Sequence, residues 1–446
     1  MRRVLISALG VVLLSVGLTV TASAATEAQK MTAILNGLAH LDLVQCGTDG
    51  SWSYGGGCGG GYSDAMTGAA LFAFQTQKTK WPTNLATKYA ADVTNGVNYL
   101  LANASTATVS TNDAGQNICP GGSGSCTAIY WNISGNETYA TGFVAASIDL
   151  YGSSVGTSNV ATTSGPLSGL TWLQIAQGMT NAYAAAQATA TNGSAEGGWR
   201  YDLPSDGDAD MSTTQWGALA SGYNESVGAS TPAFVKTLLQ VYMTNESKDG
   251  PACYQGSGTS CGIGPTNSEN GAYLVANAFA GGGSTANALN FLNANWKTTP
   301  SGTWYGNFGH TYAMWSSYKG LEAAIGLKDT THITNLFTNC GIPTNAPGSG
   351  VCNWWEDYNE WLVNQTTATA TDSGSNKYWT GDPDEEGWQD PMSTAVFTAI
   401  IGAAALPSTI TQTPTSVPAV GQWGLVALGI LLVVFAAMKL RKPQTT

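Results

Sequence analysis

Two kinds of helical pattern alternate along the chain. In the first, apolar residues return every three to four positions, as at Met31, Ile34, Leu35, Leu38 and Leu41, which is the spacing of a helix with one buried face. Stretches of this kind lie near 27–45, 84–103, 168–189, 231–245, 284–297 and 354–366. The second kind is small and apolar on every side, as in Thr67-Gly68-Ala69-Ala70-Leu71, Thr141-Gly142-Phe143-Val144-Ala145-Ala146 and Ala395-Val396-Phe397-Thr398-Ala399-Ile400. Six of these begin near Asp64, Glu137, Asp210, Ser268, His310 and Asp390, each after a Gly-rich loop with an aromatic and a polar or acidic residue. Such recurrence marks a repeat architecture. A helix apolar on all faces belongs inside a protein, and an amphipathic one belongs on its outside. Twelve helices in this order, six inner and six outer, predict an all-α domain of six helical hairpins closed into an (α/α)6 toroid over residues 25–406.

The two ends break the pattern. Met1-Arg2-Arg3, an apolar run from Val4 to Val20 and the small residues Ala22-Ser23-Ala24-Ala25 form a secretory signal peptide, cut after Ala24. Residues 407–422 are a linker rich in Thr, Ser and Pro, and 423–446 hold Trp423, an apolar run from Leu425 to Met438 and the bases Lys439, Arg441 and Lys442. The run is near the lower limit for a span of about 20 residues, and the basic cluster places the C-terminus in the cytoplasm. Val417-Pro418-Ala419-Val420-Gly421-Gln422-Trp423-Gly424 with this tail resembles the IPTL-type C-terminal sorting signals of Gram-negative bacteria, although Ala419-Val420-Gly421 departs from the usual Thr-Leu-Ser. The resemblance implies envelope sorting machinery as a partner and a membrane contact through the tail.

Five of the sixteen basic residues lie in these ends and none of the twenty-eight acids does, so the exported body carries 11 bases against 28 acids, a net charge near −17. Nucleic acid and anionic lipid are poor partners for it. Eight cysteines fall into close pairs, Cys46 with Cys58, Cys119 with Cys126, Cys253 with Cys261 and Cys340 with Cys352. In an exported chain this reads as four local disulfides, although eight cysteines formally allow about 105 connectivities. The intervening loops are too long for paired zinc ligands.

Gly197-Gly198-Trp199-Arg200-Tyr201, followed by Asp210-Met211-Ser212-Thr213-Thr214-Gln215-Trp216-Gly217, resembles the prenyltransferase and squalene-cyclase repeat. Weaker echoes surround Trp52, Trp304 and Trp388, so the rhythm runs from about residue 45 to 406. The resemblance implies a toroid with a central cavity. Asp210, Ser212 and Asp390 stand where helix N-termini need acceptors, and Trp52, Trp199, Trp304 and Trp388 are expected to be structural.

The candidate chemistry is acidic. Asp206, Asp208 and Asp210 alternate beside Arg200, the only arginine of the exported body, and read as a calcium loop or a solvated turn. The stretch is not an EF-hand, because Met211 and Gly217 occupy the obligatory Gly and Glu positions. Class II cyclases use an Asp-x-Asp-Asp acid, here interrupted by Ala209. The zinc ligands of protein prenyltransferases have no free cysteine to match, and the histidines are His40, His310 and His332. Asp64, Glu137, Asp210, Glu269 and Asp390 would ring one rim, where two carboxylates suffice for glycoside cleavage, with Tyr130-Trp131 and Trp354-Trp355 able to stack on sugars. Asp208, Asp210, His310 and Asp390 are the candidate catalytic or binding residues, calcium the candidate cation. The expected function is ligand or partner binding at the cavity; the alternative is an enzyme of glycans or of an isoprenoid.

Overall fold

A computed structural model describes residues 24–410 apart from 123, 132–134, 205–206, 256–260, 262–263, 301–303, 338–351 and 367. Among these residues the protein is mainly helical. Its α-helices are α1 (Glu27–Val44), α2 (Ser63–Thr76), α3 (Ala86–Asn103), α4 (Glu137–Val155), α5 (Trp172–Ala186), α6 (Met211–Ser226), α7 (Ala233–Ser247), α8 (Asn267–Ala280), α9 (Thr285–Asn295), α10 (Thr311–Ile325), α11 (Trp354–Asn364) and α12 (Met392–Ile401). The amphipathic stretches become the odd-numbered helices and the small-residue stretches the even-numbered ones.

Burial separates the two sets as their composition requires. In α3 only one face is buried, with Tyr89, Val93, Val97, Leu100 and Leu101 at helical spacing, whereas α6 is buried continuously from Met211 to Asn224 and α12 over its whole length. Helix α2 packs on α4, α4 on α6, α6 on α8, α8 on α10, α10 on α12, and α12 returns to α2. Small residues set these spacings. A Cβ on Gly68 would stand 2.9 Å from the backbone of Phe143 in α4, and Gly271 of α8 and Gly320 of α10 abut so closely that neither tolerates one.

A repeated tryptophan joins four of the six outer helices to the next inner one. The backbone N–H groups of Trp52, Trp131, Trp199 and Trp379 donate to Thr67, Thr141, Thr214 and Thr394 at 3.0–3.3 Å, in the first turns of α2, α4, α6 and α12. Their indole N–H groups donate to the carbonyls of Leu41, Leu100, Tyr183 and Leu362 at 2.7–3.1 Å, in the last turns of α1, α3, α5 and α11. Carbonyls there have no partner within their own helix. Trp52 and Trp199 thus have the expected structural role, and Trp379 takes the place expected for Trp388; Trp131, expected in a sugar-stacking loop, has the same role before α4, while Trp304 is nearly half exposed. Trp131 and Trp354 are fully buried, so the aromatic pairs at 130–131 and 354–355 do not form sugar-stacking loops.

Two small hairpins lie outside the helical expectation. Strand β1 (Ser105–Val109) pairs antiparallel with β2 (Cys126–Tyr130), and β3 (Thr369–Thr371) with β4 (Lys377–Trp379). Their short runs of Thr, Ala and aromatics carry too little periodicity to separate strand from loop. Disulfides join Cys46 to Cys58, Cys119 to Cys126 and Cys253 to Cys261, as the sequence predicts. Cys352 is also disulfide-bonded, while Cys340 lies outside the described residues. Bridges of this kind belong to an oxidising, extracytoplasmic setting.

After α12 the chain crosses the C-terminal ends of the inner helices. Ala404 accepts from Lys319 Nζ (2.7 Å) and the Tyr318 hydroxyl (3.1 Å), the Leu406 N–H donates to Glu322 (3.0 Å), and Thr409 donates to the Gly222 carbonyl (2.6 Å). Ile410 is fully buried against Gly222. Among the described residues no helix is long and apolar enough to cross a membrane. The signal peptide and the tail segment both lie outside the described residues.

Candidate functional site

The N-termini of all six inner helices open on one cavity of about 760 Å³. Helix α2 with its N-cap gives Tyr62 and Ala65, α4 gives Asn136, Tyr139 and Phe143, and α6 gives Ser212. Helix α8 gives Thr266 and Glu269, α10 gives Tyr312 and α12 gives Met392, while loops add Tyr201, Tyr254, Trp304, Tyr305, Glu386, Gly387 and Trp388. Nine of these seventeen residues are aromatic and none is a lysine or arginine, so the wall suits apolar or cationic surface and offers an anion no counter-charge.

The aromatic wall is held in place by its own contacts. Tyr312 and Trp388 have ring centroids 4.7 Å apart, Tyr139 stacks on Tyr201 at 6.1 Å, and Trp304 meets Tyr312 edge-on at 6.3 Å. The hydroxyls are engaged behind the wall. Tyr139 donates to Ser212 Oγ (2.7 Å), Ser212 donates to Asp210 (2.5 Å), and Tyr312 donates to the Ser212 carbonyl (2.9 Å) while accepting from Gln215 (2.6 Å). Burial holds both phenols well above their usual pKa, so they remain neutral donors.

Among the described residues, two carboxyl groups line the cavity. Glu386 is exposed and accepts from the Tyr62 hydroxyl at 3.2 Å. Glu269 is 4% exposed and sits in the first turn of α8. Its backbone N–H donates to Thr266, the N-cap, at 3.4 Å, and Ser268 donates to its carboxylate at 3.0 Å. Burial pushes the Glu269 pKa up to about 7; its own backbone N–H and Ser268 oppose this, Asp210 adds to it and His310 counters it.

The residues singled out from the sequence lie around this cavity, and none of the four candidate residues is in its wall. Asp210 is fully buried as the N-cap of α6, accepting from the Thr213 N–H at 2.9 Å, and its other oxygen stands 3.0 Å from Arg200 Nε. That contact is an ion pair without hydrogen-bond alignment. Burial raises the Asp210 pKa, against the hydrogen bonds from Ser212 and Thr213. Asp208, half-exposed, pairs with the Arg200 guanidinium. Calcium at Asp208 and Asp210 would therefore compete with Arg200, and Asp206 lies outside the described residues. Among those that are described, no group of three or more His, Cys, Asp or Glu side chains is placed to hold a metal ion.

His310 is the N-cap of α10, where Nδ1 accepts from the Ala313 N–H at 3.3 Å beside Glu385. Glu385 turns inward to accept the N–H groups of Thr311 (2.7 Å) and Tyr312 (3.1 Å), so both side chains cap one helix. Asp390 accepts from Thr394 (2.7 Å) and faces His40 Nε2 at 2.9 Å, while His40 Nδ1 faces Asp372 at 3.0 Å. This ties α12 to α1 and the β3–β4 hairpin instead of facing the cavity. Of the rim acids, Asp64 is buried with its pKa pushed up to about 7 by desolvation, and Glu137 is buried beside Asp202. Only Glu269 of that ring reaches the cavity wall. Tyr139, Tyr312, Trp388 and Ser212 carry no sequence signal that distinguishes a lining residue from core.

Comparison with protein-family models and with curated proteins finds no match.

Proposed function

We propose that the chain is an exported, envelope-held (α/α)6 toroid, related in its repeat to the prenyltransferase and squalene-cyclase proteins, that binds a ligand in the cavity at the N-terminal rim of its inner helices. The observation that carries the reading is convergence. Six separate helices, each opening with a polar or acidic turn, deliver side chains to one mainly aromatic cavity. A concave site of this size with a few convergent polar groups is the usual form of a small-molecule site. The tail supplies attachment to the envelope, through the sorting signal it resembles.

Titration of apolar, cationic and glycan ligand panels, read by tryptophan fluorescence and calorimetry, tests the reading. Ligands should bind the unaltered protein and lose affinity in Trp388→Ala and Tyr312→Leu, with disulfides and helicity intact. Binding that survives both substitutions would place the site elsewhere.

A second reading, that the toroid is an enzyme acting on glycans or on an isoprenoid, is favoured by Glu269. A buried carboxyl with a pKa of about 7 is partly protonated at neutral pH and suits general acid catalysis. Under that reading Glu269→Gln abolishes turnover and leaves folding intact. Absence of turnover on both substrate classes would leave the binding reading alone.

A further inference from the structure

We propose that the cavity takes an alkylated ammonium group, with aromatic rings surrounding the cation and Glu269 as its counter-ion. This rests on the reading that the cavity is the binding site, and it commits that site to one ligand chemistry.

The walls supply the first argument. Aromatic faces carry negative potential and attract cations, quaternary ammonium above all, when several rings surround the charge. Tyr139, Tyr312, Trp388 and Trp304 are arranged at mixed angles, Trp304 edge-on to Tyr312 and Trp388 tilted 50° against it, so they enclose a volume instead of forming one flat platform. A flat platform would favour a planar ring or a sugar face. Enclosure favours a compact, roughly spherical head.

Charge supplies the second. Glu269 is almost wholly buried in this wall, where an ionised carboxylate needs a partner. Among the described residues no lysine or arginine stands within ion-pairing distance of it. Arg200, the nearest guanidinium along the chain, is taken by Asp208 and Asp210. The charged groups that act on Glu269 are Asp210 and His310, the first disfavouring its ionised form and the second favouring it. A bound cation would complete the pair.

The exterior agrees. A body with 28 acids against 11 bases draws cations toward its clefts and repels anions. A zwitterion whose anionic end stays outside the mouth is compatible, whereas an anionic head inside is not.

The test uses the full exported protein and two probes, choline and its uncharged carbon isostere 3,3-dimethylbutan-1-ol. Calorimetry and tryptophan fluorescence should show choline binding at least about tenfold more tightly, equivalent to about 1.4 kcal/mol. Glu269→Gln should erase that gap without weakening the isostere. Trp388→Ala, which leaves the carboxyl in place, should weaken both probes. Equal affinity of the two probes for the unaltered protein overturns the ammonium assignment while the cavity reading stands. No binding of choline overturns the assignment as well. Choline binding that ignores both substitutions overturns the assignment and the cavity reading together.

Discussion

Replacing His40 by phenylalanine should destabilise the protein in a pH-dependent way. The imidazole is 3% exposed, lies between Asp372 at 3.0 Å and Asp390 at 2.9 Å, and stacks face to face on Tyr378 with centroids 3.7 Å apart. Phenylalanine keeps the stack and removes both ring nitrogens, so the loss reports the ion pairs. Removing one partner of a buried pair costs about 3–5 kcal/mol. The lower end applies here, because Asp372 also accepts the N–H groups of Gly374 (2.8 Å) and Asn376 (2.9 Å). We expect about 3 kcal/mol near neutral pH.

The sign follows from the direction of the shift. Desolvation lowers the His40 pKa, but Asp390 and Asp372 together outweigh it and leave the pKa above 6.5. The stabilisation is then fully present below 6.5 and is lost as pH rises through the folded value. Asp372 is shifted the other way: burial raises its pKa, but Asn376, His40 and Gly374 hold it below 3.8. Its share persists above 3.8 and disappears as pH falls through the folded value. Urea unfolding of both proteins across pH 3 to 10 should therefore give a difference that peaks on the mildly acidic side and shrinks toward both extremes. A difference that stays flat with pH, or stays below about 1 kcal/mol as an exposed pair would, would refute the clamp.

Other outcomes follow from the same packing. Gly271→Val forces side-chain atoms into the α10 backbone, and thermal unfolding should show a loss of about 1–3 kcal/mol or more. Trp199→Phe removes the 2.8 Å indole donor to the Tyr183 carbonyl, which keeps the Gln187 N–H at 3.1 Å; urea midpoints should report about 0.5–1.5 kcal/mol, the net worth of one hydrogen bond. The double substitution Cys119→Ser with Cys126→Ser opens a short loop and should cost about 2–3 kcal/mol, measured without reductant so that the other bridges persist. For Glu269, whose folded pKa of about 7 exceeds the ordinary 4.5, the unfolded chain ionises first, so its contribution turns against folding as pH rises from 4.5 to 7. Glu269→Gln should flatten that part of the stability profile, and an infrared carboxyl signal that titrates near 4.5 would contradict the burial argument.

The helices were legible because two compositions alternate. Leu38 and Leu41 on one face of α1, against the small and apolar residues on every face of α12, already separate outer from inner. The site was harder to read. Glu269 belonged to the expected ring of rim acids, but its sequence neighbours do not distinguish it from Asp64 or Glu137, because reaching the wall depends on where α8 stands relative to five other helices. Asp390 carries the same helix-start signature, and a histidine 350 positions away diverts it. Asp210 was drawn by its cluster with Asp208, whereas what matters locally is Arg200, which occupies both carboxylates. Trp388 follows a Gly like Trp199 does, but the residue bound by Thr394 is Trp379, so a one-loop shift in the last unit exchanges a structural ring for a lining one.

The segment from Ala404 to Ile410 ties inner helices together at the end opposite the cavity. Because Leu406, Thr409 and Ile410 lie against the far ends of α10 and α6, these two helices are cross-linked away from the site they help to line. At the cavity end, Trp304 and Tyr305 of the wall are both nearly half exposed, so these rings face an arriving guest.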